Sequence, residues 1–268
     1  MISTTLICYN RLEYTKTTIE SYLATISVPY ELIVVDNAST DGTQKYLQKL
    51  IKQNKIHRLI LNSKNMFPGH ATNQGWDASK GEYLHRSDND LLYKKGWDKE
   101  AIQAFKDFPK MGQLGLINEL YQVPPSQYEE HTRLVKKGKT TLIYAPNPFK
   151  TIGGPCIIPR EIFKKVRWKD DDKWVGPNNE DHYFSMAIKE LNYEMYELYS
   201  EKVIHLGYGD IEKYFDYYFE THGRRNAFNW FAYRLKLQRD GKIKNRKTTD
   251  YSLDCFNINM FFSIPKIS

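Results

Sequence analysis

The sequence predicts an α/β protein with a mixed, mostly parallel sheet flanked by helices and a helical C-terminal extension. Two observations carry that expectation. Apolar, strand-like runs alternate with helix-like stretches four times in the first 90 residues, a pattern that calls for parallel strands joined by crossover helices. Three of those runs also end in polar clusters, "CYNR", "DNASTD" and "SDND". In open sheets of this kind, ligands bind outside the carboxyl ends of the strands, so the three clusters should meet on one rim.

The elements follow in order. "STTLICYN" is rich in β-formers, and "RLEYTKTTIESYLATI" then carries Leu12, Ile19, Tyr22 and Leu23 at roughly helical spacing. "YELIVVDNASTDGT" reads as a second strand, "QKYLQKLIKQ" as a helix, "IHRLILN" as a third strand, "ATNQGWDASK" as a helix and "GEYLHRSDND" as a fourth strand. Further on, "KGWDKEAIQAFKDF" reads as a helix and "QLGLINELY" as a strand. "YQVPPSQYEEHTRLVKKGKTT" is a long polar excursion in which Pro124 and Pro125 resist regular structure. "GGPCIIPREIF" gives a turn, a short strand and a helix start, and "NNEDHYFSMAIKELNYEMYEL" a helix followed by a strand. From about residue 210 the chain is aromatic and basic, and it is expected to be helical to about Arg239.

Composition narrows the class. With 268 residues, 41% of them hydrophobic, the chain affords a large core and is globular. No run approaches the roughly 18 apolar residues that cross a bilayer, and no basic stretch precedes an apolar one at the N-terminus. The three cysteines, Cys8, Cys156 and Cys255, share no metal-type spacing, which suits a reducing compartment and points to the cytoplasm. The formal charge of +7 favours anionic partners such as nucleotides, phosphates, nucleic acid or a membrane surface without choosing among them.

Asp88, Asn89 and Asp90 close the fourth strand. If strand geometry continues through them, the two aspartates leave one face and can address one cation. Hard oxygen ligands suit Mg²⁺ or Mn²⁺, which leave coordination positions for diphosphate oxygens. An Asp-x-Asp is also an ordinary turn, because Asp and Asn side chains bond their own backbone.

The order of motifs resembles the inverting family-two glycosyltransferases of GT-A fold. "TLICYNR", "VVDNASTDGT", an Asn65 to Tyr83 stretch containing "HATNQGWDASKGEY", "SDND", "GGPCIIPREIF", "NEDHYFSMAIKELNY" and "VIHLG" carry the likeness over about residues 3–207. The resemblance implies a nucleotide diphosphate sugar as donor and a divalent metal. It places Tyr9, Asn10 and Arg11 along the nucleotide pocket, Asp36 on the base or ribose, and Asn37 where many relatives carry a second acid. Asp88 with its neighbour Asn89 would reach the ribose or the metal, Asp90 would bind the metal directly, and His205 would add a ligand. Asp181 would be the general base, with Glu180 beside it. Gly154, next to Gly153, would let backbone approach the sugar, His70 and Asn73 lie where the family touches the nucleotide, and Arg224 and Arg225 are candidate diphosphate clamps. A nucleotide-binding half over about 1–92, an acceptor half over about 93–207 and a basic extension over 208–268 complete the expected organisation.

Each of these residues has a plainer reading. Glu180 and Asp181 after Asn179 also make an ordinary helix N-terminus, His205 also fits a core histidine, Gly153 and Gly154 a simple turn, and "ATNQGWDASKG" a helix packed on the sheet. Trp174 either stacks on a sugar or seals its loop. Two other functions compete. A sugar nucleotidyltransferase usually has a glycine-rich phosphate loop after the first strand, and "CYNRLEY" has no glycine. A non-catalytic nucleic-acid or glycan-binding protein is motivated by aromatics interleaved with basic residues from Tyr214 to Lys247, but would not require Asp90, His205 and Asp181 together. The acceptor stays open among glycan, protein, lipid-linked and nucleic-acid hydroxyls, with the C-terminal segment a candidate for membrane-surface or subunit contact.

Overall fold

The computed structural model describes residues 1–117, 133–144, 152–169, 180–200 and 202–206. Its first part alternates strands and helices as predicted: β1 (Ile2–Cys8), α1 (Leu12–Thr25), β2 (Tyr30–Asp36), α2 (Thr43–Lys52), β3 (Arg58–Leu61), α3 (Phe67–Asp77) and β4 (Tyr83–Asp88). The remainder comprises β5 (Leu91–Tyr93), α4 (Trp97–Asp107), β6 (Met111–Gly115), β7 (Arg133–Lys137), β8 (Thr140–Tyr144), β9 (Cys156–Pro159), α5 (Arg160–Phe163), α6 (Glu180–Glu190), β10 (Glu194–Leu198) and β11 (Val203–His205).

Among the described residues nine strands form one sheet in the order β3-β2-β1-β4-β9-β6-β10-β8-β7. Seven of the nine run the same way, and β9 and β8 oppose them. β5 and β11 pair separately and antiparallel beside the rim. Strand alternation divides the core into two layers. Leu6 and Val34 pack on one face with Ile19 and Tyr22 of α1, Leu47 of α2 and Trp97 of α4. On the other face Ile7 and Val35 meet Ala71 of α3, and Leu84 and Ile158 join Trp76, Ile162 and Phe184. Because β1 is buried on both sides, it reads as a continuous apolar and threonine run, whereas the outer strand β3 is partly exposed.

The polar excursion departs from expectation in its second half, where residues 133–144 form the β7–β8 hairpin. Gly138 turns it with φ +58, a conformation glycine adopts without steric cost. The basic residues on β7 mask its alternation, so that the segment reads as a solvated loop. The C-terminal extension over 208–268, with Arg224 and Arg225, and the stretch around Trp174 lie outside the described residues. Among those described, no helix is long and apolar enough to cross a membrane.

One close approach fixes the height of α3 above the sheet. A Cβ on Gly75 would lie 2.2 Å from Thr5 Oγ1, so any side chain there drives the helix from β1. Gly75→Ala is expected to lower the unfolding free energy by about 1–3 kcal/mol, the usual cost of overpacking. Denaturant unfolding would measure it, and a paired Thr5→Ala change should recover part of the loss. A Gly75→Ala protein as stable as its parent would contradict this packing.

Candidate active site

The parallel register brings the polar strand ends level. Cys8 pairs with Asp36, and Ile7 pairs with Asp88, so the carboxyl ends of β1, β2 and β4 share one rim. After β1, half-buried Tyr9 is followed by Asn10 and Arg11, both left-handed with φ 55 and 61. Left-handed backbone is costly for residues with a Cβ, about 1–3 kcal/mol each, and persists where the surroundings hold it. Here they do. Asn10 accepts from Thr40 N at 2.8 Å, its own N–H donates to Ser39 Oγ at 2.7 Å, and its carbonyl accepts from Asn89 Nδ2 at 2.9 Å.

That turn sends Arg11 inward. Its guanidinium donates to Asp90 Oδ2 at 2.9 Å and to Asn89 Oδ1 at 2.7 Å, and its side chain is buried. Asn89 is spent on Arg11, Asn10 and Thr15, bracing the loop from within. His205 arrives from β11, whose pairing with β5 sets His205 against Leu91, while Leu206 N–H bonds the Asp90 carbonyl at 2.7 Å. His205 Nε2 lies 3.4 Å from Asp90 Oδ2. Burial raises the Asp90 pKa, but Arg11 and then His205 outweigh it and hold the carboxyl below its ordinary value.

Asp88 and Asp90 do not continue one strand. β4 ends at Asp88 and β5 starts at Leu91, so the two-residue alternation stops between the aspartates and each finds its own partner. Asp88 Oδ1 faces Arg86 Nε at 3.7 Å. Gly154 has φ +50, a left-handed conformation that glycine adopts without steric cost, and a Cβ there would lie 3.0 Å from Asp88 Oδ2. Gly153, its neighbour, lies against Asp181 Oδ2.

The acidic pair opens α6, with Glu180 buried and Asp181 nearly so. Arg86 reaches out of β4 and donates to Asp181 Oδ1 at 2.8 Å and to Glu180 Oε1 at 3.1 Å. Three carboxylates therefore share one guanidinium. Burial pushes the Asp181 carboxyl up to about 8; Arg86 pulls against that shift, and the charges of Glu180 and Asp88 add to it. Such a group is poised to exchange a proton near neutral pH.

On the outer side, Asp36 Oδ1 accepts from Ser39 N at 3.0 Å and Gln44 Nε2 at 2.7 Å. Its Oδ2 is buried with no hydrogen-bond partner among the described residues, leaving one acceptor for an N–H or O–H donor. Asn37 is tied to Asn62 at 2.9 Å, and Asn62 to Gln74. Asn73 clasps the Trp168 backbone in both directions, at 2.9 and 3.1 Å, and His70 is exposed on α3.

A divalent cation fits one part of this rim. Asp90 Oδ1 is buried without a hydrogen-bond partner among the described residues, while Oδ2 of the same carboxylate carries Arg11 and lies 3.4 Å from His205 Nε2. Carboxylate plus imidazole is a fitting donor pair for Mn²⁺. Among the described residues, no group of three His, Cys, Asp or Glu side chains gathers as a metal site.

The model for glycosyl transferase family 2 matches residues 3–167, more than half of the chain. The chain belongs to glycosyl transferase family 2. Within the family, it is 31% identical over 87 residues to the putative teichuronic acid biosynthesis glycosyltransferase TuaG of Bacillus subtilis, covering 32% of this chain and 34% of that one. It thus spans about a third of such curated relatives. The fold is that of Staphylococcus aureus TarS in complex with UDP-GlcNAc, with TM-score 0.56 and 18% identity over 90% of this chain and 74% of that one. It is likewise similar to the mannosyltransferase PcManGT from Pyrobaculum calidifontis in complex with GDP-Man and Mn²⁺, with TM-score 0.53 and 14% identity over 88% of this chain and 69% of that one. GT-A is therefore the architecture of this family-2 chain.

Sequence reasoning missed Arg86, Trp168 and the inward course of Arg11. A charged residue inside the apolar run "YLHRSD" was the available signal. His85, its neighbour, is buried too. Its Nδ1–H donates to the Cys156 carbonyl at 3.0 Å, and its Nε2 lies 2.8 Å from Tyr93 Oη. Burial pushes its pKa down to about 4, against the pull of the Cys156 bond. An unfolded histidine titrates near 6.5, so the unfolded chain binds the proton first as pH falls. About 3 kcal/mol of stability, fully present above pH ~6.5, should be lost as pH drops from there towards 4. Urea unfolding across that interval measures the slope. His85→Gln should flatten it, and an unchanged slope in that variant would contradict a neutral His85.

Proposed function

We propose that the chain is a metal-dependent, inverting glycosyltransferase that moves a sugar from a nucleotide diphosphate sugar, a UDP-sugar by preference, to a hydroxyl acceptor. The observation that carries this reading is the placement of two differently equipped carboxylates on the rim of a family-2 sheet. Asp90 is held ionised beside His205, and Asp181 has its pKa raised towards neutrality at the opening of α6. The complexes of fold neighbours with UDP-GlcNAc, and with GDP-Man and Mn²⁺, support a donor of this class.

In this reading Asp90 and His205 hold Mn²⁺ or Mg²⁺. When bound, the ion neutralises charge on the departing diphosphate. Few protein ligands are needed, because such ions keep positions for phosphate oxygens and water. Asp36 Oδ2 accepts a hydrogen bond from the base or ribose, with Tyr9, Asn10 and Asn37 around it. Asp88 bonds the ribose or the donor sugar, and the Gly154 turn admits the sugar close to the backbone.

Asp181 acts from the acceptor side. Its carboxylate takes the proton of the incoming hydroxyl as that oxygen forms a bond to the anomeric carbon. The bond from that carbon to the diphosphate oxygen breaks, the nucleoside diphosphate leaves with the electron pair, and configuration inverts. Arg11 is not a nucleotide contact in this scheme; it fixes Asp90.

Thermal unfolding in a panel of nucleotide diphosphates and nucleotide sugars, with and without Mn²⁺, tests the reading. One nucleotide family should stabilise the protein, chiefly with metal present. Asp90→Asn should lose that metal-dependent gain. Asp181→Asn should keep it while turnover falls by roughly 10²–10⁴, the usual weight of a general base. No response to any nucleotide, or full turnover by Asp90→Asn in chelator, would overturn it.

A further inference from the structure

We propose that Arg86 is a positioning residue for the acceptor-side base: it clamps one oxygen of Asp181 so that the other is the one that receives the proton. The inference rests on the assignment of Asp181 given above and extends it to a residue inside the sheet.

Arg86 lies in β4, and its side chain is buried. A buried guanidinium is stable only with its charge and N–H groups matched. Its two terminal nitrogens address different carboxylates of consecutive residues, Asp181 Oδ1 at 2.8 Å and Glu180 Oε1 at 3.1 Å. The first turn of α6 is thereby tied to β4. The guanidinium plane is fixed from another side by Trp168, whose ring lies 4.5 Å away. That ring is stacked on Phe184 of α6 at 3.9 Å and 7°. Asn73 of α3 holds the Trp168 backbone in turn. Thus residue 168 and α6 meet the Arg86 side chain of β4, and α3 holds residue 168 in place.

The consequence falls on Asp181. With Oδ1 engaged by Arg86, Oδ2 lies against the turn of Gly153 and Gly154 and accepts from Gly154 N–H at 3.4 Å. A carboxylate bonded at both oxygens does not rotate freely, and in this proposal the remaining lone pair of Oδ2 receives the proton of the incoming hydroxyl. Lysine would supply the charge without the planar fork or the stacking face. Charge alone is therefore insufficient at this position.

The test uses the full chain and the nucleotide sugar that stabilises it most in the thermal panel, with water as acceptor and nucleoside diphosphate release as the readout. Arg86→Lys is expected to fold, to keep the nucleotide-induced thermal shift and the donor KM, and to lose kcat by roughly 10- to 100-fold, the scale of a misplaced reacting group. In Arg86→Ala, guanidinium at millimolar concentration should restore part of the lost kcat, and urea at the same concentration should not. Where Arg86→Ala does not fold, Trp168→Leu takes its place: it keeps the charge, removes the platform, and should likewise lower kcat while sparing KM.

A folded Arg86→Lys protein with parental kcat would overturn the proposal. So would an Arg86→Ala protein indifferent to guanidinium, or a Trp168→Leu protein with parental kcat. Asp181→Asn, measured in parallel, separates the two levels. If it is inactive while Arg86→Lys is parental, only the role of Arg86 fails; if it retains parental turnover, the base assignment fails and takes this proposal with it.

Discussion

Carboxylates crowded on one rim of a sheet repel one another, and they stay there only if cations are built in beside them. Two buried arginines meet that requirement. Arg11 comes from the turn after β1 and neutralises Asp90; Arg86 comes from within β4 and serves Asp88, Glu180 and Asp181. Much of the local structure follows from housing these two groups. The left-handed pair Asn10 and Arg11 aims the first guanidinium inward, and Asn89 turns away from solvent to receive it. Trp168 lies against the second, and α6 opens at the carboxylates it binds.

The arginines also divide the rim by function in the proposed reaction. On the Arg11 side, charge compensation is complete enough to keep Asp90 ionised, as a metal ligand must be. On the Arg86 side, three carboxylates outnumber one cation, and the buried Asp181 holds its proton more tightly. Asp88 stands between the two, bordered by the Gly154 turn. Beyond Asp36, Asn37, Asn62 and Gln74 satisfy one another as an amide chain.

The alternating first half was legible because periodicity and turn chemistry agree in every segment. The polar clusters after β1, β2 and β4 likewise announced the rim, since parallel register leaves them nowhere else to go. Other features depend on tertiary partners that no local pattern encodes. The β7–β8 hairpin was hidden because lysines on an edge strand look like loop. The separation of Asp88 from Asp90 depends on a strand ending at Asp88, two residues earlier than alternation through Asp90 implies. Arg86 sits inside a strand-like run, and its carboxylate partners lie about 95 residues away in the chain. Asn73 lies where the family motif touches the nucleotide, and its side chain bonds the Trp168 backbone.

Diffraction from crystals grown with Mn²⁺ and a nucleoside diphosphate, with data collected at the manganese edge, tests the central claim most directly. The account predicts an anomalous peak at the Asp90 and His205 side chains, with the diphosphate on its open side and Arg11 still bonded to Asn89. A peak elsewhere, or a nucleotide seated on the rim with no manganese at Asp90, would contradict it.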